Sequence, residues 1–235
     1  MIFNKDLKIP SLNRAYGELN AQKQGLFKRK CISIFHCLVI CAGITYVTIG
    51  YGHIAPHSTQ VWLFRIHSEV WCGYFLADAL VSEWNGTATF DDRFHHAIYS
   101  VLHGTVTYLS SAQPELGYHG FQLCRWRYYA DFFNQNMQLR LILGLFKMKE
   151  TTVYYINYHI LAIGFFIVRV GVIPFFWISF YQNFGDFWVK VAGESMIVFG
   201  LILIILVLSD MQNIDWSRRL LKGLNVMRKQ HVKTN

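Results

Sequence analysis

Residues 197–208 read IVFGLILIILVL. No charge and no hydrogen-bonding side chain interrupts the run. With its flanks, over 188–209, it reaches the roughly 20 residues that cross the hydrocarbon core of a bilayer. The rest of the chain agrees with that reading. Of its 235 residues 53% are hydrophobic, 17% aromatic and 15% charged, whereas soluble domains carry about 25% charged residues. The fold class expected is an all-α polytopic membrane protein.

The formal charge of +8 invites a nucleic-acid reading, but its placement argues against one. Lys5, Lys8, Arg14, Lys23, Lys28, Arg29 and Lys30 precede the first apolar run, and Arg218, Arg219, Lys222, Arg228, Lys229 and Lys233 follow the last. Basic residues beside apolar spans mark the cytoplasmic face. Spans are expected at about 31–51, 62–82, 94–112, 118–145, 153–179 and 188–209. The connections 52–61, 113–117 and 180–187 contain no Lys or Arg, whereas the others hold Arg93, Lys147 and Lys149. Both termini therefore fall on the cytoplasmic side, with a basic segment over 1–30, the membrane domain over 31–220 and a basic tail over 221–235. No apolar stretch of a cleavable signal precedes residue 31, so the first span is expected to act as its own insertion signal. Asn85-Gly86-Thr87 matches a glycosylation sequon, but it falls in a cytoplasmic loop and is discounted.

The five cysteines, Cys31, Cys37, Cys41, Cys72 and Cys124, lie in or beside apolar runs and are read as small buried hydrophobes. Cys31, at a membrane edge, is also a candidate for palmitoylation.

The fourth expected span is polar. RWRYYADFFNQNMQLR, residues 125–140, carries Arg125, Arg127, Asp131, Asn134, Gln135, Asn136, Gln138 and Arg140. An ionisable group at membrane depth costs about 3 kcal/mol on insertion scales, so such groups face the bundle interior and find partners. Arg127 and Asp131 are four apart and are expected to pair along one helix face. Other spans add His36, His67, Asp78, His95, His96, His103, His159 and Arg169. His67, Tyr74 and Asp78 share a face by spacing. Of these, His36, Asp78, His95, His96, His103, Asp131 and His159 are expected to converge on one polar cavity open to the cytoplasm. His67 and His103 are read as packing residues. Pro174 is expected to kink the fifth span. A metal centre is not expected: one adjacent His pair supplies too few ligands for iron.

Several of these residues carry a family resemblance. Ser33-Ile34-Phe35-His36, Tyr74-Phe75-Leu76-Ala77-Asp78 and Phe94-His95-His96 occur in order, followed by Asp131, Asn136 and Arg140, then Arg169 and Pro174, then Asn213 and Trp216. Their order and spacing over 31–220 resemble the TLC-domain family (TRAM, LAG1 and CLN8 homologues). The resemblance implies a six-helix bundle around a lipid-accessible central cavity, residence in the endoplasmic reticulum or plasma membrane, and work on lipids. In the ceramide synthases of that family the His-His pair is a catalytic part of N-acylation from acyl-CoA. After His95-His96 this chain continues AIYSVLHGTVTYLSSAQPELG and lacks the His-Asp…Asp run of those enzymes. It is more similar to the smaller TLC-domain-containing proteins, which are linked to membrane phospholipid composition.

The resulting expectation is a protein that handles lipids or acyl chains, with His95 or His96 as general base and Asp131 orienting it or sharing its charge. His36, Asp78, Asn136, Arg140 and Arg169 are candidates to bind a lipid or headgroup. Acyl-CoA is the expected co-substrate if the chain is an acyltransferase, and no other cofactor or metal is expected. The partners expected are membrane lipids and, as an option, a second copy of the chain. The alternative is a non-catalytic lipid sensor, chaperone or endoplasmic-reticulum cargo receptor.

Overall fold

The structure, a computed structural model, describes residues 12–49, 57–112, 127, 129–182, 185, 193 and 196–234. Lys5, Lys8, Cys124, Arg125 and the polar loop 113–117 lie outside the described residues. Those described are helical, with no strand among them. In chain order the helices are α1 (Leu12–Gly17), α2 (Ala21–Thr48), α3 (His57–Trp84), α4 (Phe90–Ala112), a 3₁₀ turn (Tyr129–Asp131), α5 (Asn134–Leu145), α6 (Thr152–Arg169), α7 (Val172–Gln182) and α8 (Met196–Thr234).

Local chemistry sets their ends. The Asn20 side chain accepts the Lys23 N–H at 2.9 Å and caps α2, and Thr151 caps α6 in the same way through Tyr154, each satisfying one donor that the first turn leaves open. At 28 residues each, α2 and α3 are about 42 Å long at 1.5 Å per residue. Two segments, Thr152–Gln182 across α6 and α7 and Phe199–Met227 of α8, are long and apolar enough to cross a membrane.

The helices do not pack in sequence order. α2 lies against α3 and α5, α3 against α4, α4 against α8, α8 against α6, and α6 against α5. These contacts close a ring. Its walls are stitched by three apolar clusters. Ile40, Ile44, Phe64, Trp71 and Phe75 join α2 to α3. Leu143, Tyr158, Phe165 and Leu220 join α5, α6 and α8. Leu102, Phe176, Phe180 and Phe199 join α4, α7 and α8.

The polarity of the ring is inverted relative to a soluble bundle. Phe35, Leu80 and Ile197 stand outside with 70%, 73% and 76% of their surface exposed, whereas Ser33, His95, His96, Asp131 and Arg169 are buried. The basic segments at the start of α2, after α5 and late in α8 lie at one end. The rings of Phe27 in α2 and Phe146 just after α5 meet at 5.5 Å, and Arg219 of α8 reaches Asp91 of α4 at 2.7 Å.

Several expectations are corrected. The described part of 118–145 is not one helix: it is a 3₁₀ turn followed by the 12-residue α5. That break removes the expected Arg127–Asp131 pair, because residues four apart meet only along a continuous helix. Arg127 instead reaches Asp210 at 2.7 Å and lies 4.0 Å over the Phe176 ring. The fifth expected span is interrupted at Val170–Gly171, ahead of Pro174. There Ile173 N–H bonds to the Val170 carbonyl, the carbonyl that Pro174, lacking an N–H, leaves open. A Cβ on Gly171 would come within 2.5 Å of the Ile167 carbonyl oxygen, so the bend needs glycine. α4 begins at Phe90, which moves His95 and His96 into its second turn. The tail over 221–234 continues α8 as helix.

Candidate functional site

The position of the His pair follows from the chain reversal between α3 and α4. Gly86 has φ +61. Thr87 N–H bonds to Ser82 O and Gly86 N–H to Glu83 O, the paired bonds that end a helix through a left-handed residue, which suits glycine. Three residues on, Thr89 Oγ1 accepts the Asp92 N–H at 3.1 Å while the Asp92 carboxylate accepts the Thr89 N–H at 3.1 Å. This reciprocal capping box starts α4. Arg93 then bonds back to Glu83 at 2.5 Å and holds that carboxyl below its usual range. With both ends of the connection fixed, His95 and His96 enter the ring in a set register.

They enter a cavity of about 350 Å³, within the range of small-molecule sites. It extends from His36 and Asp131 to Thr89 and Asp91 at the basic end. Thr89 is exposed and Asp91 half-buried, so the cavity reaches the surface there.

The chemistry on its wall centres on Asp78. His96 Nε2 lies 3.0 Å from Asp78 Oδ2. Arg29 clamps the same carboxylate, Nε to Oδ1 at 2.6 Å and Nη2 to Oδ2 at 2.8 Å, in the bidentate geometry that makes the strongest charge-assisted pairs. A carboxylate ionised by such a clamp only accepts hydrogen bonds. His96 therefore donates from Nε2, and Nδ1 is the ring nitrogen left for acid–base work. This is the arrangement of a base whose tautomer is fixed by an acid.

Three elements converge here. Ser33 Oγ donates to the Arg29 carbonyl, Tyr74 Oη donates to Ser33 Oγ at 2.7 Å, and the His36 ring stacks on Tyr74 at 3.6 Å. The Ser33…His36, Tyr74…Asp78 and His95-His96 patterns, far apart in sequence, are thus one contact network. Gln212 Nε2 of α8 donates to the Asp91 carbonyl in the first turn of α4. His95 Nδ1 is buried without a hydrogen bond.

Asp131 borders the same cavity, but its partners differ from those expected. It accepts from Arg169 Nη2 at 2.8 Å and from Asn134, and Arg169 Nη1 bonds to Asn213 Oδ1 at 2.5 Å. The carboxylate bonded to the His pair is Asp78, not Asp131. The two networks meet at Trp216, whose ring lies 5.2 Å from His95 and 5.6 Å from the Arg169 guanidinium.

The other candidates divide. Arg140 borders the cavity and is also 5.4 Å from the Tyr158 ring. Asn136 does not: its Nδ2 donates to Asn157 Oδ1 and its carbonyl accepts from Asn157 Nδ2, both at 2.9 Å, which ties α5 to α6. His103 packs 4.7 Å from Trp71 and His67 6.1 Å from it, away from the His pair. Among the described residues no group of His, Cys, Asp and Glu is arranged to hold a metal ion.

Arg29, Lys30, Gln212 and Asn134 belong to the site or its support but are not among the residues expected from sequence. For Arg29 a signal existed. It precedes Ser33 by four and His36 by seven, hence lies on their face. Gln212 had none, since only the packing of α8 on α4 brings it to the Asp91 carbonyl. Compared with known protein families, curated proteins and solved structures, the chain matches none.

Proposed function

We propose that the chain is a six-span membrane protein of the TLC type, resident in the endoplasmic reticulum or plasma membrane, that transfers an acyl group from acyl-CoA to a lipid acceptor in its central cavity. The observation that carries this reading is the Arg29–Asp78–His96 arrangement on the wall of a cavity open at the basic end. The membrane part rests on the two long apolar segments and on the inverted polarity of the ring. Apolar side chains such as Phe35 and Leu80 face outward on helices that also carry buried polar groups, which suits lipid as the surrounding solvent.

In this reading His96 Nδ1 accepts the proton of an amine or hydroxyl on the acceptor as that atom attacks the thioester carbonyl. The carbon–sulfur bond breaks, and the CoA sulfur leaves and takes up the proton from His96. Asp78 holds the ring and balances the transient imidazolium, and Arg29 holds Asp78. His95 stands beside the base and joins it to α8.

The test uses purified wild type and His96→Ala, both checked for folding, with a panel of acyl-CoA donors and lipid acceptors. Release of CoA by wild type and its loss in the variant supports the reading. No release by wild type across the panel, with co-purified lipid unchanged in the variant, sinks it. A second reading is favoured by the Arg29–Asp78 pair itself, which ties α2 to α3. There the polar network only holds the bundle together, and the protein is a non-catalytic lipid sensor, chaperone or cargo receptor.

A further inference from the structure

Not every cation around the cavity is bonded to a carboxylate. Four carboxylates border it: Asp78, Asp91, Asp92 and Asp131. Each is committed. Asp78 is held by Arg29 and His96, Asp131 by Arg169, Asp91 by Arg219 and Asp92 by the Thr89 cap of its own helix. Two cations remain. Lys30 borders the cavity with 7% of its surface exposed, yet it makes no ion pair or hydrogen bond among the described residues. Arg140 borders it from α5 without a carboxylate partner, and its Nε is buried without a hydrogen bond. A buried cation with no bonded counter-charge is costly. The offsets within the chain are partial: Asp78 and Asp92 border the same cavity as Lys30 without bonding it, and the half-buried Arg140 lies 5.4 Å from the Tyr158 ring, so both cations are open to an anion that enters the cavity.

We propose that Lys30 and Arg140 together seat the phosphate of an amphiphilic ligand at the basic end of the cavity, with its acyl chain directed inward past His96. A phosphate fits this pair better than a carboxylate. It presents several acceptor oxygens, which suit a point-like ammonium on one side and a planar guanidinium on the other. The same chemistry occurs in the CoA portion of an acyl donor and in the headgroup of an anionic phospholipid. The inference rests on the proposed lipid-handling role of the cavity and adds the ligand's charge and the residues that read it.

The experiment measures binding rather than turnover. The full chain is reconstituted in nanodiscs of phosphatidylcholine and titrated separately with CoA and with short-chain phosphatidic acid. Wild type, Lys30→Gln, Lys30→Arg, Arg140→Gln and His96→Ala are compared. Loss of one charge-assisted bond weakens binding about tenfold or more. Lys30→Gln and Arg140→Gln are each expected to bind at least tenfold more weakly, and Lys30→Arg near wild type. Weakening for CoA alone identifies the donor as the source of the phosphate; weakening for phosphatidic acid alone identifies a lipid headgroup. Lys30→Gln should also be no less heat-stable than wild type in the absence of ligand, because it removes an unpaired buried charge. If Lys30→Gln binds both ligands as wild type does, or if wild type binds neither, the proposal is overturned. Retained binding in Lys30→Gln with CoA release still lost in His96→Ala discards the phosphate seat and leaves the acyl-transfer reading standing.

Discussion

His96 of α4 and Asp78 of α3 are joined by a 3.0 Å contact, Nε2 to Oδ2, and the carboxylate is shared with Arg29 of α2. One side chain thus orients the candidate base and fastens two helix pairs. Asp78→Asn separates the two roles. The amide cannot neutralise Arg29, whose side chain is 4% exposed, and leaving a buried charge unpaired costs about 3–5 kcal/mol. The amide also donates as readily as it accepts, so His96 loses its fixed tautomer. Thermal unfolding of Asp78→Asn should shift sharply downward. The double variant Arg29→Gln/Asp78→Asn should recover much of that loss without recovering CoA release. Recovery of both would make Asp78 purely structural.

Arg169 and Asp131 form the second network, with side chains 1% and 6% exposed. Asp131→Asn is expected to destabilise the fold by about 3–5 kcal/mol, because Arg169 keeps its charge and loses its counter-charge. Arg169→Met/Asp131→Asn removes both charges and should be more stable than the single variant. Because the His pair has its own carboxylate in Asp78, CoA release by the double variant should stay within about tenfold of wild type, a loss of less than roughly 1.4 kcal/mol in barrier terms. A loss as deep as that of His96→Ala would instead put Asp131 in the chemistry.

Lys147 ends α5 with φ 58. Met148 N–H bonds to Leu143 O and Lys147 N–H to Gly144 O, the same termination that Gly86 makes after α3. A non-glycine residue in the left-handed region costs about 1–2 kcal/mol, and glycine gives back roughly half of that in unfolded-chain entropy. Lys147→Gly should therefore gain about 0.5–1 kcal/mol and raise the unfolding midpoint by a few degrees. CoA release should not change, since Lys147 does not touch the cavity. A lower midpoint would mean that the Lys147 side chain contributes more than its backbone costs.

The helical class was legible because IVFGLILIILVL with its flanks is long enough to cross a bilayer as a helix, where every backbone group must be bonded within the segment, and because the polar residues of α2 and α3 recur at helical spacing. The convergence of Ser33, His36, Tyr74, Asp78 and His96 was legible as motif order, before any contact was known. Two things were not. Arg29 stands among seven basic residues ahead of the first span, and counting it as a face marker hides its spacing to Ser33 and His36. The partners of Asp131 and Asp78 depend on which helices adjoin. The ring order puts α5 against α2 and α8 between α4 and α6, and no local pattern encodes that order. Arg127 and Asp131 satisfy the spacing rule for an ion pair, but a 3₁₀ turn lies between them, and a spacing argument holds only where the helix is continuous.

α3 offers the test that separates a six-span bundle from a protein crossing the membrane only through its two most apolar segments. Ser58 near its start and Trp84 at its end are both exposed, and 28 residues of helix set the ends about 42 Å apart. Its apolar outer face, with Leu76 and Leu80 exposed, suits lipid, but its interior carries His67, Asp78 and buried serines, which lowers its hydropathy below that of α6 and α8. In a background with the native cysteines replaced by serine, Ser58→Cys and Trp84→Cys are labelled in sealed membranes with an impermeant maleimide. If α3 spans, Trp84→Cys reacts only when the cytoplasmic face is accessible and Ser58→Cys only from the opposite face. Tyr181→Cys, at the far end of α7 and 82% exposed, should then behave like Ser58→Cys, because α6 begins at the basic end. Labelling of Ser58→Cys and Trp84→Cys from the same side would remove α3 from the membrane and the six-span arrangement with it.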